Sequence, residues 1–260
     1  MDNNLYRFNV GSFDCIAIRD GDEGDRNALL VDTGSQRVLI ETGNGDALPP
    51  PGRILERLRM AGVSPDEVDL VILTHADIDH IGGTTDARGV PVYPRARVVL
   101  SRVEWEYWSG RPARMRPSSF LDEETRLKVV QVPLARLEQL RDVLDLVDSG
   151  AEIAPGIRAL AAAGHTPGHV VIAVESEGER LLFLGDVTYD PIINEELVEV
   201  HGVFDVDPPR GAATRERLLE QAAADRTLLM GYHFPFPGPG HLVRDGSDRQ
   251  WQPLGGGRST

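Results

Sequence analysis

"LTHADIDHIGG", residues 73–83, places two histidines and two aspartates, His75, Asp77, Asp79 and His80, within six positions. It continues "VDLVI", a short, mainly apolar run of the kind that forms a strand buried on both faces. Functional side chains gather at the ends of such strands. On an extended segment alternate residues point the same way, so His75, Asp77 and Asp79 are expected to converge, with His80 entering the Gly82-Gly83 turn. Three metal-competent side chains in five residues suffice for half of a metal site. The alternative, a solvated polar turn, has little need of two histidines.

Working outward, the first 45 residues alternate β-rich runs with turn signals: "LYRFNV", "FDCIAI", "NALLVD" and "RVLIET". "GRILERLRMAGV" (52–63) has Ile54, Leu55, Leu58 and Ala61 at helical spacing and stops at Gly62. "RARVVLS" repeats the strand signal, and 102–141 turns polar and helical, a helical insertion. A second series of strand runs opens with "LDLVDSGAEIAPGIRALAAAG" and continues with "HVVIAVES" and "RLLFLGD". An irregular stretch is expected at 187–211, then a helix "AATRERLLEQAAA", the run "TLLMGYH" and strands near 241–252. Two successive sets of strands with helices imply an α/β fold of two face-to-face sheets with helices outside, a four-layer αββα sandwich. The length of 260 residues fits one domain over 1–254, with a flexible Gly-rich tail at 255–260.

Three further signals sit where strands end. "AAAGHTPGHV" carries His165 in a turn before a strand, "LLFLGD" ends on Asp186, and "TLLMGYH" ends on His233. Each is a metal-competent side chain that a strand terminus can present to one cleft. Taken in order, "HADIDH", "GHTPGH", "LGD" and "GYH" resemble the metallo-β-lactamase superfamily, whose pattern is H-x-H-x-D-H, G-H-T-P-G-H, a G-D strand end and a final histidine. The resemblance implies the four-layer sandwich and a two-metal site. In that site His75, Asp77 and His165 would hold one ion, Asp79, His80 and His233 the other, and Asp186 would bridge them. Asp77 stands where the family has its second histidine. With three aspartates and a bridging hydroxide, two divalent cations leave the ligand set near neutral, so the bound water is less acidic than at an all-histidine zinc site. Zinc is the expected ion, and the added oxygen donor brings Mn²⁺ and Fe²⁺ into competition. Binding of a single ion is the alternative.

The remaining residues receive narrower readings. Of "VDTG" (31–34) and "IETG" (40–43), the second follows its strand in the family position, so Glu41 is expected to orient a ligand histidine and Asp32 to serve its turn. His169 is expected to support the site or make a structural hydrogen bond, His201 to border the cleft, and His241 to be structural. Tyr189, three residues after Asp186, is a candidate donor to a substrate carbonyl or developing oxyanion. Of Trp105, Tyr107, Trp108, Met115, Phe120, Phe234 and Phe236 some are expected in the core, and the others are candidates for an aromatic rim around an apolar substrate. "GYHFPFPGPGHL" is similar to the methyl parathion hydrolase and lactonase branch.

Composition narrows the function. A formal net charge of −14 argues against nucleic acid as partner. The start "MDNNLYRFNVGSFDC" has no basic segment followed by an apolar run, and no apolar stretch is long enough to span a bilayer, so the chain reads as cytoplasmic with no membrane partner. Cys15 is the sole cysteine, excluding an internal disulfide and a thiolate cluster; its alternating context reads as a small buried strand residue. The expected reaction is hydrolysis of a small-molecule carbonyl or phosphoryl substrate by a metal-bridged hydroxide, with Asp79 and Asp186 steering the nucleophile and passing its proton. An ester or lactone is the first choice; thioesters, β-lactams and phosphotriesters share the chemistry. The acidic residue at 77 also resembles the diiron site of oxygen-reducing relatives, so a redox enzyme is one alternative and a silent binding member of the fold is another. A homodimer is compatible with the sequence.

Overall fold

Period-two apolar patterning along the N-terminal runs builds the first sheet of the computed structural model, which describes residues 4–22, 25–110, 122–192, 195–246 and 248–255. Its strands are β1 (Leu5–Val10), β2 (Phe13–Arg19), β3 (Asn27–Asp32), β4 (Arg37–Ile40), β5 (Leu70–Ile72), β6 (Arg97–Ser101) and β7 (Leu144–Val147), in that spatial order. Pairing is antiparallel from β1 to β4 and parallel from β4 to β7. Parallel neighbours need crossovers. These hold α1 (Ile54–Met60), α2 (Ile78–Ile81), and the pair α3 (Arg102–Gly110) and α4 (Glu123–Gln139).

The second sheet comprises β8 (Glu152–Ala154), β9 (Ile157–Ala161), β10 (Val170–Ser176), β11 (Glu179–Phe183), β12 (Leu228–Met230), β13 (Gly240–Asp245) and β14 (Asp248–Pro253), also in chain order. Only β11 and β12 pair in parallel, and their crossover carries α5 (Glu195–Phe204) and α6 (Pro208–Asp225).

Alternation on the strands sorts the core into layers. Leu29 and Val31 of β3 point inward and pack with Ile172, Phe183 and Met230 of the opposite sheet. Ala28 and Leu30 point outward to Leu58, Trp108 and Leu137 of the helices. On the far side Leu182 and Leu229 meet Leu219 and Ala222 of α6. Helices, sheet, sheet and helices thus form the expected αββα sandwich. Cys15 is buried in the inter-sheet core, where burial and Asp14 push its thiol up to about 12, so it is an inert strand residue.

Two expectations are corrected. The stretch 187–211 is not irregular throughout: it contains α5 and the first turn of α6. Valines and Gly202 lower the helix propensity of "EELVEVHGVF", and packing of α5 on α6 overrides it. "LDLV" does not open the second half; as β7 it pairs in parallel with β6 and completes the first sheet. Within the helical insertion, α3 and α4 form at its ends, while 111–121, with Met115 and Phe120, lies outside the described residues, as does 256–260 of the tail. Among the described residues no helix is long and apolar enough to cross a membrane.

Candidate metal centre

The chain leaves β5 at Ile72 and turns at the edge of the sandwich. Val170 N donates to Thr74 O at 3.0 Å, tying this exit to the start of β10. The extended run ends at Asp77. Its carbonyl accepts from His80 N and Ile81 N, so Asp79 and His80 project from the first turn of α2 rather than continuing the alternation of His75 and Asp77. This corrects the expected convergence of His75, Asp77 and Asp79 on one face and divides the cluster in two. Asp77 occupies the N-cap position but makes no side-chain cap. Its Oδ2 lies instead 3.3 Å from His165 Nε2 and 3.7 Å from His75 Nε2.

Two groups of ligand atoms result. His75, His165 and Asp186 form one, Asp79, His80 and His233 the other, each with its atoms within 4.8 Å of one another. Asp186 stands between them: its Oδ1 is 3.1 Å from His80 Nε2, and its Oδ2 is 3.6 Å from His165 Nε2 and 3.5 Å from His233 Nε2. All seven expected ligands are therefore gathered at one place, with Asp77 beside the first group rather than within its tight trio.

Close backbone approach makes the geometry possible. A Cβ on Gly83 would stand 2.2 Å from Thr42 O, so only glycine allows the turn after α2 to lie against the end of β4. Gly185, at φ +54, leaves no room for a Cβ between Thr74 Oγ1 and His169 Nε2. Glu41 also adopts a left-handed backbone, φ 68, which costs a non-glycine residue about 1–3 kcal/mol. That conformation carries its buried carboxylate to Thr74 and His80. Oε1 accepts from Thr74 N at 3.1 Å and Thr74 Oγ1 at 2.5 Å, and Oε2 lies 3.3 Å from His80 Nδ1. Since the Thr74 hydroxyl proton goes to Glu41, His75 Nδ1 donates to Thr74 Oγ1 at 3.0 Å, which turns its bare Nε2 to the centre. Glu41 thus stands behind a histidine, at ion-pair distance from His80 Nδ1. Asp32 accepts from Gly34 N and pairs with Arg37, serving its turn.

Two supporting carboxylates have no counterpart in the sequence reading. Asp205, at the end of α5, is 3.4 Å from His165 Nδ1 through Oδ1 and 3.0 Å from Arg215 through Oδ2. Glu104, buried in α3, accepts from Ala76 N (3.1 Å), Trp108 Nε1 (2.9 Å), Thr166 Oγ1 (2.6 Å) and Gly168 N (3.2 Å), pinning the "HADIDH" segment to the "GHTPGH" turn. Burial pushes its pKa up, against the hydrogen bonds from Thr166 and Ala76.

The other histidines take distinct places. His169 Nε2 accepts from Asp186 N at 3.1 Å, and burial together with His165 pushes its pKa down to about 3, so it is a neutral acceptor holding the Asp186 backbone. His201 Nε2 accepts from Tyr189 N at 3.4 Å and its buried ring stacks on that phenol at 4.8 Å. Burial and Arg215 push it down to about 4. His241 Nδ1 donates to Arg226 O, a structural contact. Tyr189 stands between the two groups, its hydroxyl 3.4 Å from His165 Nδ1 and its ring 5.1 Å from that of His233.

Several of the candidate rim aromatics belong to the core. Phe234 is fully buried edge-on to Trp251 in the outer core, and Trp108 is buried with its indole on Glu104. Trp105 and Tyr107 pack, half-buried, against the cluster beneath the helices. Residues spaced by three along a helix share a face, and in α3 that face is turned to the core.

The cluster fits metal ions. His75 Nε2, His80 Nε2 and Asp186 Oδ1 are buried and make no hydrogen bond among the described residues, a costly arrangement unless another group uses their lone pairs. The local field agrees. Burial opposes charge on His80, but Asp186, Glu41 and Asp79 hold its pKa well above the usual range; against the same opposition Asp186 and Asp79 hold that of His233 up at about 10. Burial also opposes charge on Asp186, yet His80 and His233 hold its pKa well below the carboxylate range. A field that keeps protons on buried imidazoles equally favours divalent cations.

Residues 21–247 match the family described as the metallo-beta-lactamase superfamily. This chain belongs to that superfamily. Among similar proteins, an N-acyl homoserine lactonase of Bacillus thuringiensis is 24% identical over 224 residues, covering 81% of this chain and 78% of the relative. Among solved structures, AidC, a dizinc quorum-quenching lactonase in complex with a product, superimposes with a TM-score of 0.85 at 23% identity, covering 97% of this chain and 98% of that one. The hydrolase AbOPH gives 0.82 at 24%, covering 98% of each chain. The chain is thus a metal-dependent hydrolase of the superfamily, with lactonases among its relatives.

Proposed function

We propose that this enzyme hydrolyses a lactone or related carboxylic ester, and that His75, Asp77 and His165 hold one divalent ion, Asp79, His80 and His233 a second, with Asp186 shared. The observation that carries the site is the pair of convergent donor groups around Asp186. The choice of a lactone, with N-acyl homoserine lactones the first to try, is supported by the similarity to the lactonases. The ions supply Lewis acidity and a nucleophilic form of water near neutral pH. Asp79 and Asp186, with carboxylate oxygens 3.5 Å from His233 Nε2, steer the attacking water and pass its proton on to the alkoxide that leaves as the acyl C–O bond breaks. Tyr189 donates to the carbonyl oxygen as negative charge develops there. Glu41 and Asp205 keep the imidazoles of His80 and His165 aimed inward. Zinc is the proposed resident ion, with Mn²⁺ and Fe²⁺ as competitors favoured by the oxygen of Asp77.

The test starts from chelated protein reconstituted separately with Zn²⁺, Mn²⁺ and Fe²⁺. Each form is assayed by proton release on N-acyl homoserine lactones, simple γ-lactones, aryl esters and phosphotriesters. Ring opening of a lactone to its hydroxy acid, abolished by chelation and restored by metal, is the expected result. Metal-replete protein inert on every lactone and ester overturns the assignment, and oxygen consumption by the iron form in its place supports the redox alternative.

A further inference from the structure

The seven proposed ligands can be compared half against half, an inference that rests on the dinuclear reading above. We propose that Asp77 makes the two halves chemically equivalent, so that the protein takes up two ions of one element with near-equal intrinsic affinity and in no fixed order.

The donor types match one for one, with Asp79 inside the tight group of its half and Asp77 beside that of the other. Each half has two imidazoles, one terminal aspartate and a share of Asp186. In the first, Asp77 Oδ2 lies 3.7 Å and 3.3 Å from the Nε2 atoms of His75 and His165; in the second, Asp79 Oδ2 lies 3.9 Å and 3.5 Å from those of His80 and His233. Asp186 Oδ2 stands 3.6 Å from His165 Nε2 and 3.5 Å from His233 Nε2.

The groups behind the imidazoles match as well. Each half has one histidine backed by a carboxylate, His165 by Asp205 at 3.4 Å and His80 by Glu41 at 3.3 Å. Each has one backed by a neutral oxygen, His75 by Thr74 Oγ1 at 3.0 Å and His233 by Asp25 O at 3.0 Å. The two terminal aspartates are also similarly exposed, 20% and 26%. Orienting partners tune ligand basicity, so matched partners give neither half the advantage on that count, and the exposure of His233, 24% against 3% for His165, is the main difference left between them. A histidine at 77 would break the match, setting three nitrogens and one oxygen against two of each, and donor type is what separates one site's preference from another's.

The experiment uses chelated full-length protein, with Zn²⁺ affinities from competition with a chromophoric chelator and Co²⁺ followed by its visible bands. H165A disables the first half and H233A the second. Each variant is expected to retain one ion, with Kd values within about tenfold of each other and similar Co²⁺ spectra. Adding D77H to each is expected to widen the ratio beyond tenfold. A ratio above tenfold with Asp77 present, or one that D77H leaves unchanged, overturns the equivalence while the dinuclear site stands. Failure of the unsubstituted protein to bind any ion overturns the site itself. Circular dichroism checks the fold of the variants. Should either unfold, cadmium NMR of the unsubstituted protein decides: two resonances rising together support equivalence, and sequential appearance overturns it.

Discussion

Replacing Glu104 by alanine should loosen the site from behind. The carboxylate is fully buried and touches none of the proposed ligands' side chains, yet it is the acceptor for four donors from three segments: Ala76 N, Trp108 Nε1, Thr166 Oγ1 and Gly168 N. A buried donor stripped of its acceptor costs about 1–3 kcal/mol. Water entering the vacated space re-satisfies some of them, so the expected destabilisation by Glu104→Ala is about 3–5 kcal/mol rather than the full sum. Glu104→Gln keeps the shape but sets an amide NH₂ against one pair of donors, and should cost about 2–3 kcal/mol. Trp108→Phe removes one hydrogen bond and should cost about 1 kcal/mol. Denaturant unfolding of the metal-free protein measures the series. Because Glu104 joins the segment of His75 and Asp77 to the turn of His165, zinc affinity should fall in the same order. A Glu104→Ala protein destabilised by less than about 1 kcal/mol, with zinc affinity unchanged, would refute the reasoning.

Other outcomes follow from individual contacts. Tyr189→Phe should lower kcat about 100-fold with metal content unchanged, as loss of one oxyanion donor does; loss of metal instead would mean that the phenol serves only to hold His165. Asp205→Asn should weaken zinc binding about 10-fold or more in chelator competition, through the orientation of His165. Unaltered affinity would show that Asp205 serves Arg215 alone. Phe234→Ala should cost about 3–5 kcal/mol in unfolding while leaving KM unchanged, since the ring is in the core. A raised KM with unaltered stability would return Phe234 to the cleft.

The sandwich and the gathering of the proposed ligands were legible because their signals are local. Alternation in "NALLVD" and "HVVIAVES" separates inward from outward residues within a single strand, and every proposed ligand lies just beyond a strand or in a turn between strands. Glu41 was legible for the same reason. Glu104 and Asp205 were not, since what identifies them is a partner brought near by folding. In sequence Glu104 is an acid in the first turn of a polar helix, and Asp205 is one of two aspartates before a Pro-Pro helix start, of which Asp207 takes the N-cap. The split of the opening motif was hidden because an alternating pattern does not reveal where a strand gives way to a helix. In α3 the aromatic residues announced their apolar face but not which surface it would meet.

The order of the strands has a further consequence. Strands β1 to β7 complete one sheet before β8 begins the other. On the proposed assignment His75, Asp77, Asp79 and His80 come from the first half of the chain, and His165, Asp186 and His233 from the second. The proposed centre is therefore a seam, and ions bound across it would act as a clasp between two successive halves of the chain. Each ion binds the docked arrangement and not the separated halves, so it adds about 2.7 kcal/mol to docking when its free concentration is a hundred times its Kd. Metal supply would then set how firmly the two halves hold together, as well as how fast the enzyme turns over.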